Sequence, residues 1–379
     1  TVIIRTTTIF CAVWTISLVV LDFRAEAQTA ATKIVISESD WPWWRGHDRD
    51  GTAPGNQTPP ISWSENENIA WRTAFAGRGH GSPTVLGEQV FLATADNVPR
   101  VQVVLCFDRK TGKQEWEAIV HEGGFENRSK RKANEKASLA SSTVATDGQR
   151  LFINFLNDNA VVTTSLDLEG NTLWQRKIAD YIVHQGYGSS PAVYKNLVIV
   201  SADNKGGGAI AGLDRETGKM VWRRERPAKP NYASPVILNV AGRDQLIFTG
   251  CDLVTSLDPM TGEELWETEG ATTECVTTAV TDGKHVFTSG GYPKNHISAV
   301  AADGSKKVVW ENNIRSYVPS LLQRDGFLFA TLDAGVASCF RCDTGEQVWK
   351  GRLGGTFSSS PVLVGDMIYA TNEEGVTHI

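Results

Sequence analysis

Asp214-Arg215-Glu216-Thr217-Gly218-Lys219-Met220-Val221-Trp222 decides the fold, because the phrase recurs. Asp108 to Gly112 leads to Trp116 and Asp258 to Gly262 leads to Trp266 in the same frame, and Gly170 and Gly345 stand four residues ahead of Trp174 and Trp349. With Trp71 and Trp310 included, seven of the twelve tryptophans follow one another at intervals of 39 to 58 residues. Such a period is the mark of a four-stranded propeller blade. Asp at the first turn position can bond the backbone two residues on, and Gly supplies a positive φ at no steric cost. Each phrase therefore predicts a hairpin that ends in Trp.

A second phrase runs in step: Ser82-Pro83, Ser142-Thr143, Ser190-Pro191, Ser234-Pro235, Thr278-Ala279, Val318-Pro319 and Ser360-Pro361, each followed by aliphatic residues. From this opening to the closing Trp the distance is always 31 to 34 residues, so insertions fall between units. Short alternating runs such as Leu197–Ser201, Gln245–Thr249 and Phe327–Thr331 sit between Gly, Asp and Asn punctuation, as strands do. A four-stranded sheet cannot bury both faces alone, so the units must pack face to face around a ring. The expected fold is an all-β propeller of four-stranded antiparallel blades, with Trp71, Trp116, Trp174, Trp222, Trp266, Trp310 and Trp349 as structural residues in the seams. The blades should run consecutively from about Gly79 to Trp349.

Composition is that of an ordinary soluble protein, with 41% hydrophobic and 21% charged residues in 379. The run Ile9–Leu21 follows Arg5 and precedes Ala25-Glu26-Ala27, the pattern of a secretory signal with its cleavage site; it is too short to span a membrane. We divide the chain into a signal peptide (1–27), an extended amino-terminal leader (28–60) and the propeller (61–379), exported to the periplasm or cell envelope. The net charge of −6 is unchanged by removal of the signal and gives no basic face for nucleic acid. Arg128, Lys130, Arg131, Lys132 and Lys136 form a solvated cluster in the insertion after Trp116. Of the mature cysteines, Cys106 and Cys339 fall three residues or so before their hairpin turns, where other units carry Gly212, Ser256 or Ser165; this predicts small buried strand residues. Cys339 and Cys342 lack the partners of a haem or zinc site, and their odd spacing in one strand opposes a disulfide. The chain begins with Thr and stops at Ile379, soon after Ser360-Pro361, which reads as truncation at both ends.

The unit Ser-x-Pro … Asp-x-x-Thr-Gly-x-x-x-Trp resembles the pyrroloquinoline-quinone (PQQ)-like propeller repeat of quinoprotein dehydrogenases and of the outer-membrane β-barrel assembly lipoprotein, over residues 61 to 379. Trp41-Pro42-Trp43-Trp44-Arg45-Gly46, followed by Arg49-Asp50-Gly51, is similar to the leader of exported PQQ-like repeat proteins of planctomycete-type bacteria. The resemblance implies an eight-bladed parent, of which seven units are visible here. It also implies a closing strand at Asn68–Thr73, paired at the outer edge of the last unit with Trp71 beside 360–370.

As a quinoprotein dehydrogenase, the family pattern would hold PQQ and Ca²⁺ in the central funnel, with Glu, Asn and Asp oxygens on the cation and a vicinal Cys-Cys cap. No cysteines are adjacent here, and Glu274 with Asp203 and Asn204 is the nearest oxygen set. The assembly lipoprotein carries a lipidated Cys at its cleavage site, whereas Cys11 lies too early, inside the apolar run. A binder would use the channel mouth, where Arg78, His80, His184, Tyr187, Tyr232, Glu274, Tyr317 and Phe357 precede the innermost strands. We therefore expect an exported, monomeric, non-catalytic platform for an envelope protein or small ligand. No cofactor and no metal is expected, and the PQQ-dependent dehydrogenase is the alternative.

Overall fold

The computed structural model describes residues 33–55, 57–125 and 133–379. The signal peptide and Arg128, Lys130, Arg131 and Lys132 lie outside the described residues. The described residues form seven four-stranded sheets. In blade 1 the strands are Thr84–Leu86, Gln89–Asp96, Val101–Asp108 and Gln114–Glu122, hydrogen-bonded in chain order and antiparallel throughout. Blades 2 to 6 repeat this order over 145–180, 192–226, 236–269, 280–312 and 322–352. The first strands of successive blades neighbour one another, so they line the channel and the Trp-bearing fourth strands lie outside.

Packing follows from two-faced sheets. All but one of the hydrophobic clusters draw on adjacent blades: Phe91 and Val104 of blade 1 pack with Leu151, Ile153 and Phe155 of blade 2, and Phe287 and Ala299 of blade 5 with Leu328 and Phe340 of blade 6; the exception, around Val103 and Phe107, lies within blade 1. The core is therefore a set of seams.

The repeated phrase builds five of the seams in the same way. Asp214 Oδ1 accepts the Thr217 N–H at 2.9 Å and its hydroxyl at 2.7 Å, and the Gly218 N–H closes on the Asp214 carbonyl at 2.8 Å. The register slips just beyond the residue facing the Trp, as at Gly212/Leu213 and again at Cys106/Phe107, Ser256/Leu257 and Cys339/Phe340. These bulges set the turn's approach to the strand. The Trp of one blade then lies on the turn of the next. Trp71, Trp116, Trp174, Trp222 and Trp310 donate Nε1–H to the carbonyls of Arg109, Leu168, Arg215, Pro259 and Cys342 at 2.8 to 3.2 Å. Gly218, at φ +67°, faces the Trp174 ring so closely that a Cβ would sit 2.6 Å from it. Trp266 is buried too but bonds Gln245 Oε1, because the next turn is Asp303-Gly304-Ser305 and Gly304 faces open space. Trp349 departs from the expected seam and is 46% exposed, since the last sheet presents no such turn to it.

The second phrase has its own function. The backbone N–H of Ser82 donates to Thr143 Oγ1, Thr143 to Ser190 Oγ, Ser190 to Ser234 Oγ, Thr278 to Ser320 Oγ and Ser320 to Ser360 Oγ, all at 2.9 to 3.0 Å. Side-chain hydroxyls thus tie five adjacent pairs of blades together around the channel. In blade 6 the equivalent residue is Ser320, two positions later than the Val318-Pro319 frame.

Blade 7 corrects the expected closure. Its repeat strands are Val362–Val364, Met367–Thr371 and Thr377–His378, and its fourth is Thr52–Ala53 from the leader, parallel to Val362–Val364 at the inner edge. Asn68–Thr73 forms no ladder with this sheet, whose two-residue strand Thr377–His378 offers little to pair with. Trp71 nevertheless seals against blade 1, where Thr73 Oγ1 also donates to the Gly112 carbonyl at 2.6 Å.

Candidate functional site

The two ends of the channel are built differently. Turns between first and second, and between third and fourth, strands crowd one face, and the leader enters there. The Val35 N–H bonds the Asp147 carbonyl, Asp40 Oδ1 accepts the Gly87 N–H, and Trp41 bridges Val85. Inside the ring the chain doubles back: the Gly46 N–H bonds Trp43, Arg49 bonds Gly46 and Gly51 bonds Arg45. Gly46 is required at φ +76°, where a Cβ would sit 2.5 Å from the Trp41 ring. Trp44 Nε1–H reaches Thr278 Oγ1 of blade 5 at 2.7 Å, Arg45 the Leu321 carbonyl beside blade 6 at 2.5 Å, and Arg49 the Val193 carbonyl of blade 3 at 2.6 Å. Trp43 is buried among Phe152, Val161 and Val193, with the Arg49 guanidinium 4.0 Å above its ring. The Trp-Pro-Trp-Trp-Arg-Gly stretch, expected as part of an extended lead-in, is a plug.

The eight mouth candidates lie on the opposite face, in the connections between blades. Four form one cluster. His184 Nδ1 is 3.2 Å from the Tyr232 hydroxyl and 3.3 Å from Glu274 Oε1, with the His184 and Glu274 side chains 10% and 4% exposed. Beside them Tyr317 carries the Arg315 guanidinium 5.0 Å from its ring, and its hydroxyl is pushed up by burial and then by the Glu274 charge. Arg78 and His80 form a second pair: Arg78 Nε donates to His80 Nε2 at 3.3 Å, and burial and the Arg78 charge lower the imidazole. Tyr187 and Phe357 turn inward and are buried. The Tyr187 hydroxyl is spent on the Ser201 carbonyl at 2.9 Å, and Phe357 packs beside His378. The end of the insertion after Trp116 crosses this face, with the Asn134 N–H on the Gln185 carbonyl and exposed Lys136 on Glu373 at 2.6 Å.

The oxygen set that PQQ and Ca²⁺ would need is engaged elsewhere. Asp203 faces Arg226 Nε at 3.3 Å, Asn231 Nδ2 at 3.1 Å and the Cys251 thiol at 3.4 Å; burial pushes its carboxyl up, and Arg226 opposes this. Asn204 Nδ2 donates to the carbonyls of Asp180, Ala202 and Gly207, and Oδ1 accepts from Ile182 and Gly206. Glu274 sits on His184. These residues do not fit a calcium quinone centre, in which such oxygens must turn to the cation. The five described cysteines are buried and unpaired, with Cys106 opposite Trp116 and Cys339 opposite Trp349, and burial pushes the Cys342 thiol up to about 12.

A ring of Trp-latched four-stranded blades defines a PQQ-like-repeat propeller. The family model described as outer membrane protein assembly factor BamB matches residues 61–180 and 100–350, and the chain belongs to that family. It is similar to the outer membrane protein assembly factor BamB of Bordetella pertussis, 25% identical over 328 residues that cover 82% of this chain and 75% of the relative. Among solved structures, BamB from Moraxella catarrhalis superposes with a TM-score of 0.55 at 18% identity, covering 79% of this chain and 80% of that one. The quinohemoprotein alcohol dehydrogenase from Comamonas testosteroni gives 0.55 at 12% identity, over 76% and 61%. At these identities the two structures report the fold alone, and the family match discriminates between them.

Proposed function

We propose that this chain is an exported, non-catalytic propeller that serves as an interaction platform in outer-membrane protein assembly. The family match over most of the chain is the observation that carries the reading. The channel supports it: the leader fills it from one face, and the oxygens a quinone enzyme would use are committed to protein partners. The surface left for recognition is the mouth, where His184, Tyr232, Glu274 and Tyr317 stand beside the pair Arg78 and His80. Tyrosines and arginines are the residues that anchor protein interfaces. The partner is an envelope protein, and the signal-like run at 9–21 carries the chain to the periplasm.

Site-specific photo-crosslinkers at Tyr232 and Tyr317 test this in living cells. Crosslinks to envelope proteins are expected from these positions and not from Val221, on the outer strand of blade 3. Equal capture from all three would remove the mouth as the contact surface.

A further inference from the structure

Among the described residues the chain of hydroxyl bonds around the channel is interrupted twice, between Ser234 and Thr278, where Thr278 Oγ1 accepts from Trp44 instead, and between Ser360 and Ser82. At the second gap, between blades 7 and 1, lies a cavity of about 680 Å³, within the range of small-molecule sites. Trp41, Trp44, Pro83 and Val362 give it apolar walls, and Ser82 and Ser359 add hydroxyls. Arg45 also lines it and is only 3% exposed. Its Nη2 serves the carbonyls of Leu321 and Asp50, while Nε and Nη1 have no hydrogen-bond partner. No carboxylate of the described residues forms an ion pair with it; Asp50, whose charge it senses, is engaged through Oδ1 by the Thr52 N–H at 2.7 Å. Burial lowers Arg45 to about 10, so it remains a cation at neutral pH. A buried cation that has a carboxylate nearby but no ion pair is still costly, and its two unbonded donors favour an anion above a neutral group.

We infer that this cavity binds a small monocarboxylate with an apolar body, the carboxylate meeting Arg45 and the body lying between Trp41, Trp44 and Val362. The site is independent of the scaffolding role and stands or falls separately from it.

Calorimetric titration of the purified chain with sodium phenylacetate, butyrate and indole-3-acetate, and with neutral phenylacetamide, tests the inference. Saturable one-to-one binding of at least one carboxylate is expected, with phenylacetamide weaker than phenylacetate by about tenfold or more, the equivalent of one charge-assisted hydrogen bond. Ser359→Trp places a bulky ring on the cavity wall and leaves Arg45 itself unchanged; it should abolish binding while the protein still melts cooperatively. Arg45→Lys, which keeps the charge, should retain preference for the carboxylate. Failure of all three carboxylates to bind, equal binding of the amide, or undiminished binding by a folded Ser359→Trp protein would overturn the proposal.

Discussion

A glycine under a tryptophan ring carries two separate constraints here, and they can be measured apart. Gly218 and Gly242 both hold positive φ, but a Cβ at Gly218 would meet the Trp174 ring, whereas at Gly242 it would meet nothing. Gly242→Ala should cost about 1–2 kcal/mol from backbone strain alone. Gly218→Ala should cost a further 1–3 kcal/mol or so from overpacking. Urea unfolding of both variants checks this; equal losses would mean that the ring does not discriminate. Histidine burial gives a second expectation. His296 is 3% exposed and burial lowers it to about 4, so between pH 6.5 and 4 the unfolded chain binds a proton that the folded chain refuses. Stability contributed by the neutral ring is present above pH 6.5 and lost as pH falls through that window, on the order of 3 kcal/mol. His296→Gln should lose less stability than the parent between pH 7.5 and 4.5, read as melting temperature; an identical loss would show that His296 does not titrate this way. Turn glycines were legible in the sequence because their chemistry is local; the burial of His296 was not, since it depends on a neighbouring strand.

The leader changes most between sequence and fold. Its motif stood out by composition, yet nothing in a non-periodic run of Trp, Arg and Gly says where it goes. The contacts that lodge it inside the ring each cross 100 residues or more, from Arg49 to Val193, Trp44 to Thr278 and Arg45 to Leu321. For the same reason the parallel pairing of Thr52–Ala53 with the last sheet was invisible, and the outer strand Asn68–Thr73 was expected in its place. The structural importance of the plug predicts unequal tryptophans. Trp43→Ala should cost about 3–5 kcal/mol, as for a buried aromatic, whereas Trp349→Ala, at a residue 46% exposed, should change stability by about 0.5 kcal/mol or little more. Thermal melts of the two variants decide it. If Trp43→Ala proves as mild as Trp349→Ala, the leader is lodged in the ring without supporting it.

For the whole molecule, the repeat made the architecture readable because most blades solve the same burial problem with the same residue types. The mouth was readable only in part. Position within the unit located eight side chains on one face, but contacts between loops decided that His184, Tyr232 and Glu274 would meet and that Tyr187 and Phe357 would be buried. A filled channel and committed oxygens also predict that the purified chain, given PQQ and Ca²⁺, shows no dye-linked alcohol oxidation; turnover abolished by chelation would contradict that. The most direct test of the assembly role is to deplete the chain in its host and measure folded, heat-modifiable β-barrel protein in the outer membrane. The level should fall and be restored by re-expression of the chain; an unchanged level on depletion would contradict the account.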